Sequence, residues 1–132
     1  MKKQILLSSL VVLVLLTGCS GTVFEVFNNT GRELTVVSYD TVGESAEYSI
    51  RAGRSHEVAS PTKLVIKFDG GLWEYAHFPA LDKKYRDSGG LRLRNYKFQI
   101  EKDGAIYILL PGTKTTVTNF PQQQYGFPIR PK

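Results

Sequence analysis

The fold of this chain is decided by residues 63–68, which read Lys-Leu-Val-Ile-Lys-Phe and are followed by Asp-Gly-Gly at 69–71. Valine, isoleucine and phenylalanine belong to the residue types that are enriched in β-strands. Aspartate and glycine are typical of tight turns, where the chain needs unusual backbone angles or a local side-chain hydrogen bond. The stretch therefore predicts a short β-strand that ends in a turn.

Similar short apolar runs, separated by turn residues, lie on both sides of this strand. No window shows the 3.6-residue apolar period of a helix, and short strands at intervals of about 8–12 residues are typical of a sandwich or small barrel. We therefore predict an all-β fold, a small antiparallel β-sandwich of about 7–8 strands with an immunoglobulin-like or transthyretin-like look. Ala105–Leu110 is almost continuously apolar, which predicts a central strand. The other predicted strands are Val23–Phe27, Glu33–Tyr39, Ala46–Ile50, Ser55–Ala59, Leu72–Phe78 and Leu91–Glu101.

The composition of the 132 residues fits one globular domain. A hydrophobic fraction of 42% is too high for a disordered chain and too low for a polytopic membrane protein. A single cysteine excludes a disulfide scaffold and any metal site built from several cysteines.

The N-terminal residues have the pattern of a secretory signal. Met1–Gln4 carries two lysines, Ile5–Leu16 is interrupted only by serines, and Leu16–Cys19 reads Leu-Thr-Gly-Cys. A basic start, an apolar run and small residues before a cleavage point are the parts of such a signal. The run is too short to cross a bilayer, which needs roughly 20 apolar residues.

Leu-Thr-Gly-Cys at this position resembles the lipobox of bacterial lipoproteins. The resemblance implies cleavage between Gly18 and Cys19 and attachment of lipid to Cys19. In that class, the absence of aspartate after the cysteine implies the outer membrane, here facing the periplasm, with the inner membrane as the lesser alternative; Ser20 occupies the place. We therefore expect four segments: signal peptide 1–18, lipidated N-terminus and short tether 19–22, β-sandwich domain 23–112, and an edge strand with a Pro- and Gln-rich tail at 113–132.

A cluster of basic residues is the main candidate for a binding surface. The net charge of +5 falls by two when Lys2 and Lys3 leave with the signal, and an exported protein of modest charge is a poor candidate for nucleic acid. Arginine and lysine can hold phosphate or carboxylate groups by charge-assisted hydrogen bonds. The cluster predicts an anionic-surface patch for lipid headgroups or an acidic protein, or else a solvated edge strand. Its members are Lys83, Lys84, Arg86, Arg92, Arg94 and Lys97.

Catalytic and metal chemistry find little support in the sequence. Ser55 and His56 are neighbours on a predicted strand, so their side chains point to opposite faces and do not form a nucleophile–base pair. Glu74, His77 and Asp82 are candidates for a metal site, but their spacing does not require one. We predict no catalytic residue, no cofactor and no metal.

The apolar residues of the tail, among them Phe120, Tyr125, Phe127 and Ile129, leave two possibilities open: packing on their own domain or binding a partner as an extended peptide. The expected function is that of a non-enzymatic, lipid-anchored envelope protein that binds another envelope component. The alternatives are a small lipoprotein subunit of an envelope-spanning secretion machine, resembling those of type VI secretion, and a periplasmic inhibitor of a lysozyme-type enzyme.

Overall fold

A computed structural model describes residues 22–59, 61–87, 94–113, 117–120 and 123–132, and for Arg94 the backbone only. Within these residues the chain forms nine strands, with one turn of 3-10 helix at Lys83–Tyr85 between the sixth and seventh. The strands are β1 Thr22–Asn28, β2 Leu34–Tyr39, β3 Ser45–Ile50, β4 Ser55–Ala59, β5 Lys63–Phe68, β6 Gly71–Tyr75, β7 Arg86–Asp87, β8 Arg94–Ile100 and β9 Ile106–Leu109.

The strands form two sheets, which confirms the predicted small all-β sandwich. The first sheet has the order β4-β1-β8-β7, with β9 also paired to β8, and the second has the order β3-β2-β5-β6. All pairings within the described strands are antiparallel except one, between β1 and β8. The parallel pairing makes β1 and β8 begin at the same end of the sandwich.

The core lies between the sheets and is filled by alternate residues of each strand, as the two-residue period of a strand requires. The core contains a cluster of aromatic rings, in which the ring centres of Phe24 and Phe98 lie 4.6 Å apart. Phe78 adds a third ring, 5.6 Å from Phe24. The strand predicted for Leu72–Phe78 accordingly ends at Tyr75, since the chain leaves the sheet there to bring Phe78 into the core.

The prediction that Ala105–Leu110 is a central strand was wrong. β9 lies at an edge of the first sheet, paired only with β8 among the described strands. Its free edge is covered by residues 123–132. Ile129 and Ile106 exchange two backbone hydrogen bonds of 2.8 and 2.9 Å, and the Gln123 side-chain amide bonds both the N–H and the carbonyl of Ile108 at 3.0 Å. The strand is apolar throughout because this cover keeps solvent from it.

The same covering segment reaches the second sheet. The Lys132 N–H donates to the Glu74 carbonyl of β6 at 3.1 Å. Phe127 is buried and its ring lies 5.9 Å from that of Phe98. Of the two possibilities for the tail, the structure shows packing on its own domain at Phe127 and Ile129, whereas Tyr125 is fully exposed. We call this side of the sandwich, formed by β6, β9 and residues 123–132, the closed side.

Residues 113–120 were expected to add an edge strand. The described part of this stretch, Thr113 and residues 117–120, contains no strand. Instead it crosses the outer face of the first sheet, where the Val117 N–H and carbonyl bond the side-chain amide of Gln99 at 3.1 and 2.8 Å. Phe120 stacks on Tyr107 with the ring centres 3.9 Å apart. The buried Gln99 side chain thus supplies the two hydrogen bonds that the backbone of a neighbouring strand would otherwise give to Val117.

On the opposite side of the sandwich, β3 and β4 lie next to each other, one from each sheet. Their rings meet at this side, where Tyr48 and His56 lie 5.2 Å apart. No described strand pairs with the outer edge of either. We call this side, formed by β3 and β4, the open side.

Candidate functional site

The residues of the proposed lipid site, Gly18 and Cys19, lie outside the described residues, as do Arg92 and the side chain of Arg94. The described chain begins at Thr22, the first residue of β1, and Thr22 pairs with Arg94 in the parallel register of β1 and β8. The strand that leads away from Cys19 therefore starts beside the strand that carries part of the basic cluster.

Other elements meet at this same end, which we call the Thr22 end. Val23 pairs with Ala59 at the end of β4. The turn from β4 into β5 is fastened to the end of β2 by a hydrogen bond of 2.9 Å from the Thr62 N–H to the Tyr39 carbonyl. The Lys63 ammonium lies 5.5 Å from the centre of the Tyr39 ring.

Two apolar side chains are exposed at the Thr22 end. Val42, at the tip of the β2–β3 hairpin, is 79% exposed, and Leu110, just after β9, is 49% exposed. The hairpin is held by the Asp40 carboxylate, which accepts from the N–H groups of Val42 and Glu44 at 3.0 and 2.9 Å. Its shape is therefore fixed while its apolar tip stays in solvent.

The structure divides the basic cluster by its surroundings. Lys83 and Lys84 are exposed in the 3-10 turn, which begins with a hydrogen bond of 3.1 Å from the Lys84 N–H to the Asp82 carboxylate. The Lys84 ammonium lies 5.0 Å from the centre of the Tyr85 ring, and that ring is itself buried. Arg86 is half-buried where β7 pairs with β8.

Lys97 differs from the exposed lysines. Its ammonium forms an ion pair with Asp87 at 3.5 Å and donates to the Thr113 carbonyl at 3.4 Å. It points to the outer face of the first sheet because Tyr96 and Phe98, its neighbours on β8, point into the core. The structure therefore does not bring Lys97 into one solvated patch with Lys83 and Lys84.

A groove of about 200 Å³ lies on the outer face of the first sheet. Phe27 of β1 is half-buried in it, and charged groups of both signs surround the ring. Such a mixture of an aromatic surface, a carboxylate and cations is suited to polar ligands rather than to one charge class. The principal lining residues are Glu25, Phe27, Arg54, Lys97, Gln99 and Thr113.

Two glutamates stand opposite each other beside this groove. Glu25 of β1 and Glu57 of β4 are direct partners in the antiparallel register, and Lys97 faces Glu25 from the other side across the parallel pair. Like charges directly opposite in a sheet are destabilising. The sequence gives no sign of this juxtaposition, because it depends on which strands pair and in which register.

The sequence candidates for catalysis lie apart. The Ser55 hydroxyl donates to the Glu25 carboxylate at 3.3 Å on the outer face, while the His56 ring packs against Tyr48 on the opposite face of the strand. Within the described part of the chain, no group of three or more His, Cys, Asp or Glu side chains is placed to hold a metal ion.

Two ionisable groups on the closed side have shifted pKa values. Burial raises the pKa of the Tyr75 hydroxyl, and the charge of Asp103 raises it further; the hydroxyl donates to the Gly104 carbonyl at 2.6 Å. The Ala105 N–H and then the Arg130 guanidinium hold the pKa of Asp103 below its usual value. Both groups fasten the β8–β9 turn to its neighbours, so their shifts belong to the structure of the closed side.

Comparisons of the chain with family models, with curated proteins and with solved structures found no match. In the part of the chain that the structure describes, no helix has the length and apolar character needed to cross a membrane.

Proposed function

We propose that this protein is a non-enzymatic lipoprotein, anchored through Cys19 to the periplasmic face of the outer membrane, which binds another envelope component. The lipobox-like Leu-Thr-Gly-Cys at 16–19 supports the anchor, and Ser20 supports the outer membrane. The observation that carries the proposal is the parallel pairing of Thr22 with Arg94. It places Thr22, which follows Cys19 by three residues in sequence, beside Arg94 at the start of β8, and this supports a membrane-facing end of the domain.

A short tether supports a position close to the membrane. Three residue steps separate Cys19 from Thr22, and a fully extended chain covers at most ~10 Å in that distance. Buried acyl chains contribute about 0.8 kcal/mol for each methylene, so several chains on one cysteine make a lasting anchor. The Thr22 end then faces the headgroups.

The side chains at the Thr22 end suit a lipid surface. Val42 and Leu110 are exposed apolar residues, and Lys63 is an exposed cation there. Near an anionic leaflet each lysine or arginine contributes about 1 kcal/mol, an attraction that salt weakens. The lipid chains would hold the protein, and these residues would set its orientation.

The anchor is tested with Cys19→Ala. This change is expected to abolish metabolic labelling with a radioactive fatty acid and to leave the uncleaved precursor or a soluble form. A substitution at the exposed Ser55 is the matched control and should leave labelling intact. Acyl labelling that survives Cys19→Ala would overturn the proposal.

The orientation is tested with the soluble form of the Cys19→Ala chain and vesicles of graded anionic lipid content. Binding should rise with anionic lipid, weaken with salt, and fall when Lys63→Gln and Arg94→Gln are combined. The matched control combines Lys67→Gln and Lys102→Gln, because both lysines are exposed cations away from the Thr22 end. Equal losses from the two sets, or no binding at low salt, would show that the basic residues are only solvated.

A further inference from the structure

β3 presents an uncovered strand edge on the open side. It is the last strand of the second sheet, and none of the described residues pairs with its outer edge. The Asp40 N–H donates to the Glu44 carbonyl across the β2–β3 hairpin, which fixes the alternation of the ladder. By that alternation the N–H and carbonyl groups of Ser45, Glu47 and Ser49 point away from β2. All three residues are exposed.

Each of the other strand edges of comparable length has at least one hydrogen-bond contact within the described residues. β9 is covered by Ile129 and Gln123, and β6 receives a hydrogen bond from Lys132. On β4, the Nδ1 atom of His56 lies 2.8 Å from the Glu57 carbonyl oxygen, so the strand's own side chain contacts one carbonyl group of that edge. β3 is the edge that the described residues leave ready for another strand.

The composition of β3 contains few of the devices that normally block an edge. Proline, lysine and bulges are the usual means by which proteins prevent a strand edge from pairing, and β3 has neither proline nor lysine. It carries one charge, Glu47, in the middle of the strand, and Glu44 and Glu33 lie nearby; the Ser49 hydroxyl donates to the Glu33 carboxylate. The edge is therefore open and acidic.

We infer that the β3 edge binds an extended segment of a partner protein as an added strand, with a lysine or arginine of that segment opposite Glu47. Strand addition obtains its affinity from main-chain hydrogen bonds and its specificity from alternate side chains. A second copy of this chain is disfavoured in the symmetric antiparallel register centred on Glu47, because that register puts the two glutamates directly opposite each other. The acidic edge therefore favours a cationic partner segment over the β3 strand of a second copy.

This inference deepens the partner-binding half of the proposed function and does not depend on the lipid anchor. Loss of the anchor in Cys19→Ala leaves the β3 edge unchanged. Failure of strand addition, in turn, leaves fatty-acid labelling unchanged. The two results are therefore distinguishable.

The test uses hydrogen exchange followed by mass spectrometry on the full chain in nonionic detergent. The probes are two seven-residue peptides at millimolar concentration, Thr-Val-Thr-Lys-Thr-Val-Thr and the same peptide with glutamate at its centre. The lysine peptide is expected to slow amide exchange in residues 45–50, and the glutamate peptide is expected to have a smaller effect. If neither peptide slows exchange there, or both do so equally, the inference is wrong.

Two substitutions on β3 and one on β4 sharpen the test. Glu47→Lys should weaken binding of the lysine peptide about two- to fivefold, which is the range expected for one cross-strand charge pair, and should strengthen binding of the glutamate peptide. Ser49→Pro removes an outward N–H that β2 does not use, and proline is tolerated at such positions, so it should abolish protection by either peptide. Glu57→Lys is the matched control on β4 and should leave the difference between the two peptides in residues 45–50 unchanged.

The charge exchange at Glu47 decides the question even if the proline variant does not fold. A reversal of peptide preference in Glu47→Lys supports the inference. Protection that moves to β4, or a preference that Glu57→Lys reverses instead, would overturn it.

Discussion

The closed side and the open side of the sandwich end in the same kind of strand edge and differ in what lies beyond it. On the closed side, residues 123–132 follow the edge and bond β9 through Ile129 and Gln123 and β6 through Lys132. On the open side, the described residues supply nothing beyond β3, and only a histidine ring lies against β4.

The two sides differ in how much apolar surface they bury and in how many backbone groups have hydrogen-bond partners. The closed side buries Phe127 and Ile129 and gives the exposed groups of two strands hydrogen-bond partners. On the open side most residues of β3 and β4 are exposed, and Glu57 of β4 faces the half-buried Glu25 of the neighbouring strand β1. The open side therefore gains less stability from packing than the closed side, and such a departure from the stabilising rules is expected where a surface binds another molecule.

The greatest loss of stability is expected from a substitution on the closed side. Phe127→Ala removes a buried ring that stacks on Phe98, and Phe→Ala substitutions in a core lower the free energy of unfolding by about 3–5 kcal/mol. The measurement is chemical denaturation of the two chains. Tyr48→Ala, which removes a half-buried ring of the open side, is the matched control and should lower the free energy of unfolding clearly less. Equal losses would mean that the two sides do not differ in packing.

A smaller effect of opposite sign is expected on the open side. Glu57→Lys replaces a repulsion with an attraction opposite Glu25, so it should raise the free energy of unfolding by up to about 1 kcal/mol. Glu57→Gln should give part of that gain. The gain should shrink in high salt, since both groups are near solvent. A loss of stability in both variants would show that the Glu57 carboxylate supports the fold and that its position opposite Glu25 is not a repulsive one.

Much of the fold can be predicted from the sequence because local rules agree along most strands. Lys63–Phe68 is both a good strand sequence and a strand, and Gly70, in the turn predicted after it, takes a positive φ angle. Within the predicted strand Leu91–Glu101, the alternate residues Tyr96, Phe98 and Ile100 all lie in the core. Each of these predictions depends only on neighbours in sequence.

The predictions that failed or were never made depend on contacts distant in sequence. Ala105–Leu110 has the composition of a central strand, but its second neighbour is a covering segment that contributes a short stretch of backbone and the amide of Gln123. The facing glutamates follow from the pairing of β1 with β4. Likewise, the position of Arg94, the first residue of β8, beside Thr22 follows from the parallel register of β1 and β8, which no local pattern encodes.

The smallest expected effect concerns an ion pair that fastens the covering segment to the β8–β9 turn. The Arg130 guanidinium lies 3.0 Å from the Asp103 carboxylate, and both groups are more than half exposed. The Ala105 N–H is the larger cause of the lowered Asp103 pKa, and Arg130 is a further cause. In Arg130→Ala the pKa of Asp103 should therefore rise towards its usual value without reaching it, as NMR titration of the carboxyl group would show.

The pH dependence of stability follows from the same lowered pKa. A carboxyl group whose folded pKa is lowered stabilises the fold above its unfolded pKa, near 3.8, and this contribution is lost as pH falls through the folded pKa. The stability difference between the parent chain and Arg130→Ala should thus be full at neutral pH and vanish in acid. For an exposed pair we expect only about 0.2–0.5 kcal/mol. Arg51→Ala, at an exposed arginine between β3 and β4, should leave the Asp103 titration unchanged; a shift there would mean that the charge acts from a distance rather than through the closed-side contact.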